Sequence, residues 1–125
     1  MTTRTLRLRP EECCSVPTEP PLLSDDERER LLRAFKALAD GTRLRIFQLI
    51  AAQHEPLCAC DIVDRFDVSQ PTIAHHLRTL REAGLITTSR QGVWAYYTVD
   101  PDGVAGVGEL FGGIAGVARA EARAV

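Results

Sequence analysis

The sequence predicts a mainly α fold with a β-hairpin wing, a winged helix-turn-helix of about five helices. Three observations carry that prediction. A short helical segment is joined by about three residues to a well-capped second one, the outline of a helix-turn-helix. β-branched and aromatic runs on either side of Gln91-Gly92 follow directly behind it and read as a hairpin. Segments with apolar residues at helical spacing stand before and after this unit.

Residues 1–23 hold Pro10, Pro17, Pro20 and Pro21 with no helical or alternating period, and read as a flexible arm without its own core. Ser24 with Glu27 forms a capping box, and Leu31, Leu32, Phe35 and Leu38 repeat behind it, so the first helix should run from about Asp25 to Ala39. Asp40 can cap a second helix whose Leu44, Phe47 and Ile50 share a face, with Ile46 and Leu49 beside it and Pro56 in the break that follows. A third, short helix covers about Ala59 to Phe66. Asp67 and Val68 then lead to Ser69, the cap of a fourth helix through Ala83, with Gly84 at its left-handed end. The strands Leu85–Arg90 and Val93–Val99 complete a core spanning residues 24–102.

From residue 103 to 125, Val104, Val107, Leu110, Phe111, Ile114 and Val117 keep helical spacing, yet six of the nine glycines fall in this segment. Each helical Gly costs about 1 kcal/mol relative to Ala, so such a helix draws its stability from packing. It is expected to be a dimerisation helix, joining a homodimer through the first and last helices. The alternative is a core helix within one chain.

At 125 residues the chain makes one domain, which excludes a multidomain enzyme. With 45% apolar and 26% charged residues it is an ordinary globular sequence, not a disordered or collagen-like one. A net charge of -2 gives no global argument for nucleic acid, so that argument rests on local distribution. Lys36 is the only lysine; every other basic residue is Arg, whose planar fork of donors suits phosphates and base edges. Met1 to Glu12 carries Arg4, Arg7 and Arg9 but no apolar stretch of a signal peptide, and nowhere do about 18 apolar residues run together. The expectation is a cytoplasmic protein with no membrane partner. Its four cysteines, Cys13, Cys14, Cys58 and Cys60, should then be reduced, which favours metal binding or redox chemistry over structural disulfides. A thiol enzyme is disfavoured by the missing βαβ pattern, the missing CxxC and the lack of a base beside any cysteine.

The fourth helix has Ile73, Leu77 and Leu80 as its buried stripe, which turns Gln70, Thr72, His75, His76 and Arg78 toward other faces. With Ser69 these groups can read base edges in a major groove of double-stranded operator DNA, while Arg78, Arg81 and Arg90 can hold phosphates. Adjacent histidines on a helix point about 100° apart, so His75 and His76 cannot share a metal, and one of them should pack inward.

Phe35 to Ile46, Leu57 to Val63, Ser69 to Leu77, Ala83 to Ile86 and Gly92 to Tyr97 together resemble the ArsR/SmtB family of bacterial metal-sensing repressors, in order across about residues 30–100. The resemblance implies a homodimeric winged helix that binds an operator when metal-free and lets go when a metal or metalloid binds. Family members also carry a zinc site of Asp and His on the C-terminal helix. This chain departs from that pattern: residues 103–125 hold no His, and Asp100 and Asp102 are expected before the helix without partners.

Soft thiolates select soft ions: trivalent arsenic or antimony, cadmium, lead, copper(I) or zinc. Cys58-Ala59-Cys60 resembles the family's Cys-x-Cys motif before the recognition helix. Within a regular helix residues two apart face about 200° apart, but Cys58 can sit outside the first turn and swing round to meet Cys60. The helix N-terminus should also lower the thiol pKa. Cys13 and Cys14, on an arm that can close over the third helix of the other subunit, are the expected completing ligands, as the family resemblance implies. Arsenite or antimonite takes three sulfurs, whereas cadmium, lead or zinc accepts four. A thiol redox switch is the remaining alternative.

Overall fold

A computed structural model describes residues 23–116. In chain order the elements are α1 (Asp25–Leu38), α2 (Gly41–Ala51), β1 (Leu57–Cys58), α3 (Ala59–Arg65), α4 (Gln70–Glu82), β2 (Ile86–Gln91), β3 (Trp94–Val99) and α5 (Pro101–Ala115). Five helices and a small antiparallel sheet make the winged helix-turn-helix that the sequence predicts.

The helix starts follow their caps. The Ser24 hydroxyl accepts from the Glu27 amide and the Glu27 carboxylate accepts from the Ser24 amide, which closes the capping box of α1. Asp40 caps α2 by accepting from the Arg43 amide at 3.0 Å, and that hydrogen bond holds its carboxyl below the usual carboxylate range. Ser69 caps α4 through the Thr72 amide. At the far end of α4 the Leu85 amide donates to the Leu80 carbonyl and the Gly84 amide to that of Arg81, a Schellman motif. Gly84 takes the left-handed φ of +79° that this motif needs.

The core is one cluster. Ile46 and Ile50 of α2, Ile62 of α3, Ile73, Leu77 and Leu80 of α4, and Leu85 and Ile86 meet Ala34 and Ala37 of α1. The inward face of α2 differs from the expected one: Leu44 is 40% exposed, and Ile46 and Ile50 are the buried pair. Arg43 stitches three helices, with Nε donating to the Ala37 carbonyl at 2.6 Å and Nη1 lying 3.2 Å from Nδ1 of His76 on α4.

In the wing, β2 and β3 pair from Ile86 with Val99 to Gln91 with Trp94, so Gly92 and Val93 form the turn, one residue later than the sequence suggested. Gly92 at the first turn position, with φ +65°, supplies the backbone that a two-residue hairpin loop requires. β1 is an element that no pattern in the sequence announces. It pairs with β3 through Leu57 with Tyr97 and Cys58 with Tyr96, making the sheet order β1-β3-β2.

α5 starts at Pro101, two residues before the expected point, because Asp100 caps it through the amides of Asp102 and Gly103. Asp102 therefore lies inside the helix rather than ahead of it. Val104 and Val107 pack on the chain's own core, while Phe111 and Ile114 are each 54% exposed. Phe111 meets Phe35 of α1 edge to face at 5.5 Å.

Gly103 is fixed by a close approach. A Cβ there would stand 1.8 Å from the Gly84 carbonyl oxygen, which is backbone and cannot swing aside. Gly108 has open space where its Cβ would be. In thermal or denaturant unfolding, Gly103→Ala should lower stability by about 1–3 kcal/mol. Gly108→Ala in the same helix should raise it by about 0.5–1 kcal/mol.

Candidate thiol site and nucleic-acid interface

Cys58 ends β1 and is the N-cap of α3, with an extended backbone (φ -69°, ψ 143°) and its sulfur accepting from the Cys60 amide at 3.4 Å. Because Cys58 lies outside the helix, its side chain turns back over the first turn instead of pointing away from that of Cys60. The neighbouring Cys58 thiol, with desolvation adding to it, pushes the Cys60 thiol up. The lowering expected from the helix N-terminus does not prevail at Cys60: the neighbouring sulfur outweighs the amides of a helix only seven residues long.

Cys58 is buried and Cys60 exposed, and both are free thiols. Among the described residues, no group of three or more His, Cys, Asp or Glu side chains converges. The donor set therefore fits a soft ion in part, two sulfurs side by side with room for further ligands. Cys13 and Cys14 lie outside the described residues.

Cys58 and Cys60 line a cavity of about 370 Å³ between α3, α4 and the wing, together with the apolar and aromatic Ile73, Leu77, Trp94 and Tyr97 and the polar Gln70 and Arg90. Trp94 is 53% exposed. Neither Trp94 nor Val93 figured among the site residues read from the sequence; an aromatic and a β-branched residue beside a hairpin turn register there simply as strand formers.

On α4 the residues divide cleanly. Ile73, His76, Leu77 and Leu80 are buried. Gln70, Pro71, Ala74, His75 and Arg78 are exposed, a stripe at helical spacing that begins at the helix N-terminus. Ser69 and Thr72 are tied to each other, hydroxyl to hydroxyl at 2.8 Å, in the cap. His75 points to solvent. His76, counted from the sequence among the DNA-reading groups, instead faces inward at 8% exposure, against Arg43, because it falls on the Ile73–Leu80 stripe. Ala74, exposed between His75 and Pro71, is a reading-face residue that the search for hydrogen-bonding groups passed over; a methyl group is a legitimate contact for thymine.

Arg78 and Arg81 of α4 and Arg90 of β2 surround a depression of about 190 Å³, with Tyr97 at its wall. All three are exposed, and among the described residues the only ion pair is Arg28 with Asp25. Their charge is thus left for an anion spaced across helix and wing, the arrangement that a phosphate backbone suits. No described helix is long and apolar enough to cross a membrane.

A family model described as bacterial regulatory protein, arsR family, matches residues 40–88, from the cap of α2 into β2. The chain is 38% identical over 87 residues to the arsenical resistance operon repressor of Bacillus subtilis, a match covering 66% of this chain and 82% of that protein. It is 47% identical over 68 residues to the arsenic resistance transcriptional regulator ArsR1 of Pseudomonas putida, covering 54% of this chain and 52% of the relative, so the match spans about half of that protein's length. Among solved structures, an ArsR-like transcriptional regulator from Rhodococcus sp. RHA1 superposes with a TM-score of 0.65 at 23% identity, over 79% of this chain and 92% of that one, a likeness of fold.

Burial lowers the pKa of His76, with Arg43 and His75 acting the same way and Asp40 opposing them. A neutral histidine in the fold takes its proton later than in the unfolded chain, so stability is complete above the unfolded value of about 6.5 and is lost as pH falls from there toward the folded pKa. Denaturant melts at stepped pH should show this decline, and His76→Gln should flatten it.

Proposed function

The chain belongs to the arsR family of bacterial regulatory proteins, a family of transcriptional regulators rather than enzymes, and from that premise we propose that it is a metalloid-responsive repressor. In this reading a homodimer binds operator DNA when metal-free and releases it when trivalent arsenic or antimony is bound by cysteine thiolates, which derepresses resistance genes. The observation that carries it is the meeting of Cys58 and Cys60 at the start of α3, against the recognition helix and the wing at once. The relatives in Bacillus subtilis and Pseudomonas putida, named for arsenical and arsenic resistance, support the choice of ion.

Each element has a part. Gln70, Thr72, Ala74 and His75 read base edges, with Ser69 holding the first turn of α4, while Arg78, Arg81 and Arg90 hold phosphates. Leu32, Phe35, Phe111 and Ile114 leave an apolar face on α1 and α5, with exposures between 41% and 54%, that suits a second copy of the chain. Cys13 or Cys14 from the arm supplies the third sulfur that trivalent arsenic takes. Ligation fixes Cys58 relative to the arm, and because Cys58 caps α3 and pairs with β3, the spacing of α4 and the wing changes with it.

The experiment is an anisotropy titration with an operator fragment selected from random DNA by the purified protein. Arsenite should weaken binding by about 5- to 150-fold, the usual size of such coupling. Replacing Cys13, Cys14, Cys58 and Cys60 by Ser should leave operator binding intact and abolish the response. Arg78→Ala should lower affinity with and without arsenite and leave their ratio unchanged. A response that survives in the four-serine variant overturns the ligand assignment.

A further inference from the structure

His76 lies inside the fold on a helix whose other side is the exposed stripe of Gln70, Ala74, His75 and Arg78, and the group it meets is a cation. Nη1 of Arg43 stands 3.2 Å from its Nδ1. Arginine has only donors, so this contact is a hydrogen bond only while Nδ1 keeps a free lone pair, with the ring neutral and its proton on Nε2. Arg43 is itself held in place: Nε donates to the Ala37 carbonyl at 2.6 Å, Nη2 to the Lys36 carbonyl at 3.4 Å, and its amide to the Asp40 carboxylate at 3.0 Å. The guanidinium thus fastens α4 to the end of α1 and the start of α2, and its bond to α4 depends on the proton count of one imidazole.

We propose that Arg43 and His76 are positioning residues for operator reading: while the ring is neutral their contact holds the reading face of α4 in place, and a proton gained from solvent at Nδ1 releases it. The inference rests on the reading of α4 as the helix that meets operator DNA. With that proton, two N–H donors face each other with no lone pair between them, and two positive charges meet in a partly dry place where they repel more than in bulk water. The charged and titratable groups that act on the ring are Asp40 and Arg43, from the cap and first turn of α2, and His75 of α4. From α1 come the Ala37 and Lys36 carbonyls that hold Arg43, and among the described residues no charged group of α3 or β2 acts on the ring. Burial, Arg43 and His75 oppose the proton and Asp40 favours it, so it arrives below the ordinary histidine range. Arg43 is the better anchored partner, so the ring and the stretch of α4 that carries it give way, and Gln70, Thr72, Ala74 and His75 lose their alignment on base edges. Contacts of Arg78, Arg81 and Arg90 with phosphates carry no sequence information and tolerate the change. His75, one step away on the exposed stripe, works in the opposite sense, since a proton there adds positive charge to a face that meets phosphates.

The full-length protein is titrated by anisotropy against its selected operator and against random-sequence DNA of equal length, without metalloid, at fixed ionic strength and at steps between roughly pH 5.5 and 7.5, on either side of the ordinary histidine value. The ratio of the two affinities is the readout. In the unmodified chain it should be full above about pH 6.5 and fall at least about fivefold toward the acid end, the small end of ordinary coupling. It should fall no more steeply than about tenfold per pH unit for each subunit, the limit that one proton sets. Random-sequence affinity should not fall, which shows that the fold persists. His76→Ala should lower the ratio at every pH. His76→Asn, whose amide oxygen takes the place of Nδ1 and does not titrate, should recover most of that loss and hold the ratio flat to the acid end. His75 is common to all three chains, so its own contribution cancels between them. Nitrogen NMR of the unmodified protein reads the same proton with no substitution: Nε2 of His76 should carry it at neutral pH, and the ring should titrate with the midpoint of the operator curve. A ratio that stays constant to the acid end overturns the inference and leaves the repressor standing. So does a decline that survives His76→Asn, or a neutral ring protonated on Nδ1. No preference for operator at any pH in the unmodified chain sinks the reading of α4 itself, and the inference with it.

Discussion

The pairing of Leu57 with Tyr97 and Cys58 with Tyr96 ties one thiol to the wing by backbone hydrogen bonds, and the rest of the site depends on it. The sulfur of that same residue caps α3, whose Ile62 is fully buried in the core that also anchors α4. A strand of two residues has no stability of its own. It exists because β3 is already held on its other side by six pairs with β2, among them the Thr87 and Thr98 hydroxyls at 2.9 Å. Cys58 is therefore the residue that the sheet and the short helix share, at the edge of a cavity that the recognition helix also lines.

α4 keeps stability and recognition on separate faces. Its inward side is fixed by Ile73, Leu77 and Leu80, by the Schellman turn onto Leu85, and by the contact of His76 with Arg43, which also ties down the last carbonyls of α1. Among the described residues the outward side carries no ion pair and little packing, so a partner can meet it without disturbing the core. The same division recurs on α5, where Val104 and Val107 serve the core and Phe111 and Ile114 do not. Of the sequence alternatives for that helix, a core helix within the chain is met by one face, and the other face is left apolar.

Helix starts were legible because capping is local chemistry: Ser24, Asp40 and Ser69 each act on an amide three residues away. The wing was legible from composition, its turn only to within one residue. Three things were not. β1 is too short to show alternation and is stabilised by a partner about forty residues away. Leu44 lies on the same apolar stripe as Phe47, and only the direction in which α1 and α4 cross α2 decides that Ile46 and Ile50 go inward. The choice between His75 and His76 turned on one helical step, which the buried stripe of α4 fixes once its phase is known. For the thiols, the sequence showed that Cys58 could swing over the first turn. It could not show that Cys60 would then feel a sulfur more strongly than the helix amides.

In the proposed reading, that last feature bears on which ion the thiols would prefer. A divalent cation bound by thiols must displace their protons into water, so its affinity falls in a medium where the thiols hold them. Ordinary cysteine titrates near about 8.5, and Cys60 is held higher still by its neighbour. Arsenous acid brings its own acceptor for those protons, since each thiol proton leaves with a hydroxyl as water and no net charge is released. At neutral pH the raised Cys60 thiol would therefore cost a cation such as cadmium or zinc part of its binding energy and cost the hydroxylated metalloid none of it. Thiols that hold their protons discriminate by charge balance, before geometry or ligand count enters.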